Sequence, residues 1–177
     1  GEEIRLGGPG PKKYKVGMYG GKFLPFHKGH RYCVETAVRE CEKVYVILFH
    51  GGVDEEQIRK ETPELWLSVE ERTAQMKRIC EDCGSMAEVI PALIDTSDLR
   101  NPDGTDDWDA ETPLVRALVG GQLDAVYSSE ESYGTYFNRA YPEAVHRLVD
   151  VKRVRYPISG TELRRMESEE ERRTWMV

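Results

Sequence analysis

The chain has 177 residues, 39% of them apolar and 32% charged, which is enough for one globular domain with a hydrophobic core. Its net charge of −7 argues against general nucleic-acid binding, and no apolar run approaches the ~20 residues of a membrane-spanning helix. The four cysteines, Cys33, Cys41, Cys80 and Cys83, are too few for a secreted disulfide scaffold, and Cys80-x-x-Cys83 lacks the second pair that would complete a zinc site, so reduced structural thiols in a cytoplasmic protein are expected.

Residues 1–13 lack the apolar middle of a signal peptide and are expected as a flexible lead-in to a single domain over residues 14–177. Tyr14–Gly20 predicts a first strand, followed by a helix from about Lys28 to Cys41. Lys43–Phe49 is a near-continuous apolar run, as in a strand covered on both faces. A loop is expected from Gly51 through Pro63. Ser68 and Glu71 have capping-box spacing and open a helix to about Cys80. Met86–Ile94 predicts a third strand, and Asp95–Asp109 an irregular acidic loop. A helix is expected from Thr112-Pro113 to Val119, stopped by Gly120-Gly121. Asp124–Ser128 predicts a strand, Glu131–Ala140 a helix, Val145–Asp150 a fifth strand, and Ser159 the cap of a last helix.

Strands alternating with helices predict an α/β fold, a Rossmann-like open parallel five-stranded sheet with helices on both faces. Ligands of such sheets bind beyond the carboxyl ends of the strands, where the strand order reverses. Four segments would reach that edge: the turn after the first strand, Phe49-His50-Gly51, Ser128–Glu131 and the loop before Ser159.

The turn after the first strand carries the most information. It reads Gly20-Gly21-Lys22-Phe23-Leu24-Pro25-Phe26-His27-Lys28-Gly29-His30. His27 and His30 are three apart at a helix start, so both imidazoles can face one ligand. Imidazole N–H groups and helix-start amides donate to phosphate oxygens, and Gly29 lets a nucleotide approach the backbone. Ile158-Ser159-Gly160-Thr161-Glu162-Leu163-Arg164-Arg165 supplies a second helix start with hydroxyls and guanidinium groups. Both segments are locally basic: residues 1–31 hold seven Lys/Arg against two Glu, and residues 152–165 hold five against one. Residues 95–111, with seven Asp/Glu against one Arg, are the acidic counterpart. Trp108 among Asp106, Asp107 and Asp109 suits a cationic ring, through stacking and cation–π attraction of ~0.5–2 kcal/mol. That chemistry serves a pyridinium and a choline head group alike. Lys22, Lys28 and Arg72 are further candidates for phosphate.

The first motif resembles the HxGH signature of the nucleotidyltransferase superfamily that includes class I aminoacyl-tRNA synthetases. The second resembles its ISSTxxR signature, with Gly160 at the second small position. Over most of the chain the resemblance is to bacterial NadR-type nicotinamide-nucleotide adenylyltransferases. It is carried by Gly21–His30, Glu70-Glu71-Arg72, Asp107-Trp108-Asp109, Tyr127–Glu131 and Val151-Lys152-Arg153 leading to Ile-Ser-Gly-Thr. The resemblance implies transfer of AMP from ATP to nicotinamide mononucleotide (NMN), giving NAD and pyrophosphate, with Mg²⁺ riding on the triphosphate. It implies His27, His30 and Arg164 as catalytic residues. Gly20, Gly21, Lys22, Phe23, Gly29, Ser128, Ser159 and Thr161 would bind ATP or its phosphates, and Trp108, Arg72 and Asp109 the acceptor. No protein metal ligand is assigned.

Many members of that family add a kinase domain. This chain holds no G-x-x-x-x-G-K-[ST], so kinase activity is not expected of it. Alternatives stay open: a cytidylyltransferase using CTP and glycerol phosphate or phosphocholine, a phosphopantetheine adenylyltransferase, and a non-catalytic nucleotide-binding regulatory module. Neither nucleic acid nor membrane is an expected partner, and a homo-oligomer is compatible with the sequence.

Overall fold

In a computed structural model of the protein, which describes residues 11–150 and 173–177, five parallel strands form one sheet. They are β1 (Tyr14–Gly21), β2 (Cys41–His50), β3 (Glu88–Asp95), β4 (Ala125–Ser128) and β5 (Val145–Leu148), in the order β3-β2-β1-β4-β5. The order reverses between β1 and β4, so the switch point lies at the end of the first strand. The expected Rossmann-like sheet is what the chain forms.

The period of two along β2 builds two cores. Val44, Val46 and Leu48 face one side, against Cys33, Val34, Ala37 and Val38 of α1 (Lys28–Glu40) and Met76, Ile79 and Cys80 of α3 (Val69–Asp82). Tyr45 and Ile47 face the other, against Val115 of α4 (Trp108–Val119), Tyr136 of α5 (Gly134–Ala140), and Leu123 and Tyr141. The alternation explains why the run from Val44 to Leu48 is apolar throughout. All four cysteines are free thiols and buried, and burial pushes Cys41 up to about 11 and Cys80 up to about 12. No helix among the described residues is long and apolar enough to cross a membrane.

Two expectations are corrected. The segment expected as a loop through Pro63 contains α2 (Val53–Glu61) and a short 3₁₀ turn at Pro63–Leu65. The helix has no apolar stripe to betray it; its one buried residue is Glu55. And α4 starts at Trp108, not at Thr112-Pro113, because the Asp107 side chain accepts from the Ala110 N–H at 3.2 Å and caps the helix four residues earlier; Pro113 then lies inside it. The capping box at Ser68 and Glu71 forms as the spacing predicts. The helix expected after Ser159 lies outside the described residues.

Leu48 is fully buried at the centre of the first core. Leu48→Ala should lower the unfolding free energy by about 2–5 kcal/mol, measured by urea denaturation. A loss under about 1 kcal/mol would contradict this packing.

Candidate active site

The first-strand turn is set by its own histidines. The Nδ1 of His27 accepts from the Gly29 N–H at 3.0 Å, and the Nδ1 of His30 accepts from the His27 N–H at 3.1 Å. The two imidazoles thus form a reciprocal capping box, a role usually taken by Ser/Thr and Glu/Gln. Their rings stack with centroids 3.7 Å apart. Since both Nδ1 atoms accept from backbone amides, the neutral rings carry their hydrogen on Nε2. His27 is 2% exposed. Residues near the far end of the described chain reach it: Met176 pairs with His27, and the Lys28 N–H donates to the Trp175 carbonyl at 2.9 Å.

Phe23 holds a left-handed backbone (φ 52°), which a non-glycine residue keeps only when packing fixes it. Its ring is buried, stacked on Phe26 at 3.8 Å and edge-on to His30 at 5.1 Å. Only the backbone of Phe23 is therefore available to a ligand. Gly20 is needed for a different reason: a Cβ there would run into the Phe49 ring.

At the carboxyl ends of β1 to β3, under α4 and α5, opens a cleft of about 170 Å³. Gly20, Gly21 and Lys22 form one wall and Trp108, Tyr133 and Tyr136 another; Asp106 and Glu111 supply its carboxyl groups. Trp108 is 42% exposed and is held edge-on by Tyr133 at 5.1 Å and Tyr136 at 5.7 Å, while the Tyr136 hydroxyl donates to the Trp108 carbonyl at 2.8 Å.

The acidic loop before α4 is held by Arg100, which sequence reasoning passed over. Its guanidinium donates to the Thr96 and Gly51 carbonyls at 2.6 Å and meets Asp106 at 2.9 Å. Asp106 also accepts from the Val53 N–H at 3.2 Å, so one carboxylate caps α2 and borders the cleft.

Of the residues singled out in the sequence, Gly20, Gly21, Lys22 and Trp108 line this cleft together. The others do not. Asp109 is paired with Arg139 at 2.9 and 3.1 Å, away from the cleft wall. Ser128 is buried, and its hydroxyl is used in the turn to Glu130 and toward His146 at 3.1 Å. Gly29 spends its N–H on His27.

Arg72 is 0% exposed. It pairs with Glu55, donates to the Lys22 carbonyl at 3.1 Å and lies under the Trp66 ring. Glu55 in turn accepts from the Gly51 N–H. This buried pair ties the Gly-rich ends of β1 and β2 to each other, so Arg72 acts on the cleft through the backbone. Lys22 is held by Asp54.

Ser159, Thr161 and Arg164 lie outside the described residues. The chain enters that region from the same sheet edge, since the Val149 N–H donates to the Ser128 carbonyl at 2.9 Å and the Ser129 hydroxyl donates to the Val149 carbonyl at 2.8 Å.

Glu111 is the functional candidate that the sequence did not single out. It follows Trp108 by three residues on α4 and makes no hydrogen bond or ion pair among the described residues. Burial first, then Asp106 and Asp107, pushes its carboxyl up to about 7.

The sequence model of the Cytidylyltransferase-like family matches residues 18–166, most of the chain, and the protein belongs to that family of nucleotidyltransferases. Its similarity runs to the NadR type. The trifunctional NAD biosynthesis/regulator protein NadR of Escherichia coli (strain K12) is 28% identical over 156 residues, 86% of this chain and 37% of that one. The chain thus spans little more than a third of that relative's length. Among solved structures, the NadR protein in complex with NAD and AMP-PNP has the same fold at a TM-score of 0.64 and 20% identity, over 93% of this chain and 46% of that one. Plasmodium falciparum nicotinic acid mononucleotide adenylyltransferase complexed with APC is also similar, at a TM-score of 0.51 and 11% identity, over 93% of this chain and 90% of that one.

Glu111 gives a pH-dependent prediction for stability. In the unfolded chain it ionises near its ordinary value, and in the folded chain only near 7. Between those values the folded state binds the extra proton, so stability falls as pH rises through the window and stays lower above it. Glu111→Gln should therefore leave stability unchanged near pH 4 and raise it by about 1–2 kcal/mol near pH 8, after allowance for solvent screening. Equal gains at both pH values would contradict the assignment.

Proposed function

We propose that the protein transfers AMP from ATP to nicotinamide mononucleotide, forming NAD and pyrophosphate. The observation that carries this reading is the pairing of two features at one sheet edge. Two imidazoles lie at the helix start with hydrogen on Nε2, and an aromatic, acidic cleft rises from the same Gly20–Lys22 turn. The first suits a triphosphate and the second a cationic ring. The likeness to NadR, whose name states NAD biosynthesis, supports the same acceptor.

In this reading the acceptor's 5′-phosphate oxygen attacks the α-phosphorus of ATP in line. The bond to the bridging oxygen breaks, and pyrophosphate leaves with the electron pair. No covalent enzyme intermediate forms. His27 and His30 donate from Nε2 to the phosphate oxygens where charge grows, and Ser159, Thr161 and Arg164 hold the departing β- and γ-phosphates. The backbone of Gly20 to Phe23 borders the α-phosphate, and Lys22 exchanges Asp54 for phosphate. Trp108 stacks on the pyridinium ring, and the Arg72–Glu55 pair keeps the Lys22 carbonyl and the Gly51 turn in register.

In this reading Mg²⁺ would be carried by the triphosphate of ATP. Among the described residues no three His, Cys, Asp or Glu side chains gather to hold a cation. When bound it neutralises charge on the β- and γ-phosphates. Four buried, unbridged thiols support a reducing, cytoplasmic setting for the reaction.

The test is a coupled assay for NAD from ATP and NMN, run beside CTP with glycerol phosphate or phosphocholine. NAD formation supports the reading, and turnover confined to CTP contradicts it. His30→Asn separates chemistry from folding, because asparagine offers an acceptor near Nδ1 for the His27 N–H but nothing at Nε2. It should lower kcat by about 10²-fold or more and shift stability by under about 1 kcal/mol. Unchanged kcat would remove the role assigned to His30.

A further inference from the structure

We propose that Glu111 selects an uncharged carboxamide over a carboxylate on the acceptor's pyridinium ring, making this cleft an amide-preferring one. The inference rests on the reading of the Trp108 cleft as the acceptor pocket.

Trp108 and Glu111 stand three apart on α4, and both line the cleft. A ring stacked on Trp108 is therefore within reach of Glu111. Of the two carboxyl groups that line the cleft, Asp106 is engaged by Arg100 and the Val53 N–H, whereas Glu111 has no hydrogen bond or ion pair among the described residues. The groups around it are Asp106 and Asp107 from the preceding loop, Tyr133 before α5, Tyr136 on α5, Tyr141 after it, and Lys22 at the end of β1, which is paired with Asp54. On its own helix Asp109 is paired with Arg139. Glu111 thus sits among negative or uncharged partners, with the nearby cation already engaged.

A carboxamide donates its N–H to such a carboxylate, while an ionised carboxylic acid meets it as a like charge, which is discrimination by repulsion. The cleft also changes character with pH. With its carboxyl pushed up to about 7, Glu111 repels an acid acceptor above neutrality and can donate to it below. Amide preference therefore rises with pH.

The measurement is the ratio of kcat/KM for nicotinamide mononucleotide to that for nicotinic acid mononucleotide, with ATP. It is taken for the wild type and Glu111→Gln between roughly pH 6 and pH 8. The two acceptors share the phosphate, so its titration cancels from the ratio. The wild-type ratio should rise by about tenfold across that range, and the Glu111→Gln ratio should be low and flat. A flat wild-type ratio overturns the inference, and so does a variant that tracks the wild type while unfolding at the same temperature. The wild-type profile needs no variant and so stands if Glu111→Gln fails to fold. Turnover of both acceptors at an invariant ratio defeats this inference alone. No turnover of either defeats the reading of the cleft and this inference with it.

Discussion

Two backbone N–H groups at the start of α1 determine how the first motif works. A helix start leaves its first amides without partners, and here the imidazoles of His27 and His30 satisfy two of them through Nδ1. That commitment decides the tautomer, and with it which ring atom carries a hydrogen for a phosphate. The rings stack on each other, and the His30 ring rests edge-on against Phe23 and Phe26, so their directions are fixed by packing as well as by hydrogen bonds. The same side chains therefore build the helix end and supply the donors, and the left-handed backbone at Phe23 belongs to that construction.

The second constraint is charge placed where apolar packing would be ordinary. Arg72 and Glu55 are buried together, and each also bonds backbone at the cleft rim, Lys22 through the arginine and Gly51 through the glutamate. Breaking such a pair leaves one charge unpartnered in a low-dielectric site, which makes the pair a rigid tie. Around the cleft the pattern repeats on the surface, with Arg100 gathering the acidic loop and Lys22 held by Asp54. Glu111 stands outside these ties, which leaves its carboxyl available for recognition.

The strands and their parallel order were legible because hydrophobic periodicity carries them: β2 reads as an unbroken apolar run since both its faces are covered. Gly20, Gly21, Lys22 and Trp108 stand out in the sequence as a glycine-rich turn after the first strand and a tryptophan in an acidic loop, and they line one cleft, while the two histidines also cap α1, a use their spacing equally allows. Helix α2 was not, since its inward residue is a glutamate and periodicity reads only apolar faces. Asp107 was read as part of an acidic receptor, whereas it caps α4 and brings Trp108 into the first helical turn. The partners of Asp109 and Arg72 are distant in sequence, Arg139 and Glu55, and no local pattern foretells such pairings. Glu111 carries no local signal at all, because its character comes from burial and from the carboxylates of a neighbouring loop.

The central claim is that the imidazoles of His27 and His30 and the Ser159–Arg164 segment act on one triphosphate. A crystal structure of the protein with a non-hydrolysable ATP analogue tests it most directly. The account predicts phosphate oxygens within hydrogen-bonding distance of a histidine Nε2 and of the Ser159, Thr161 or Arg164 side chains in the same complex. An analogue whose phosphates touch neither histidine, or touch them while the second segment lies elsewhere, would contradict it.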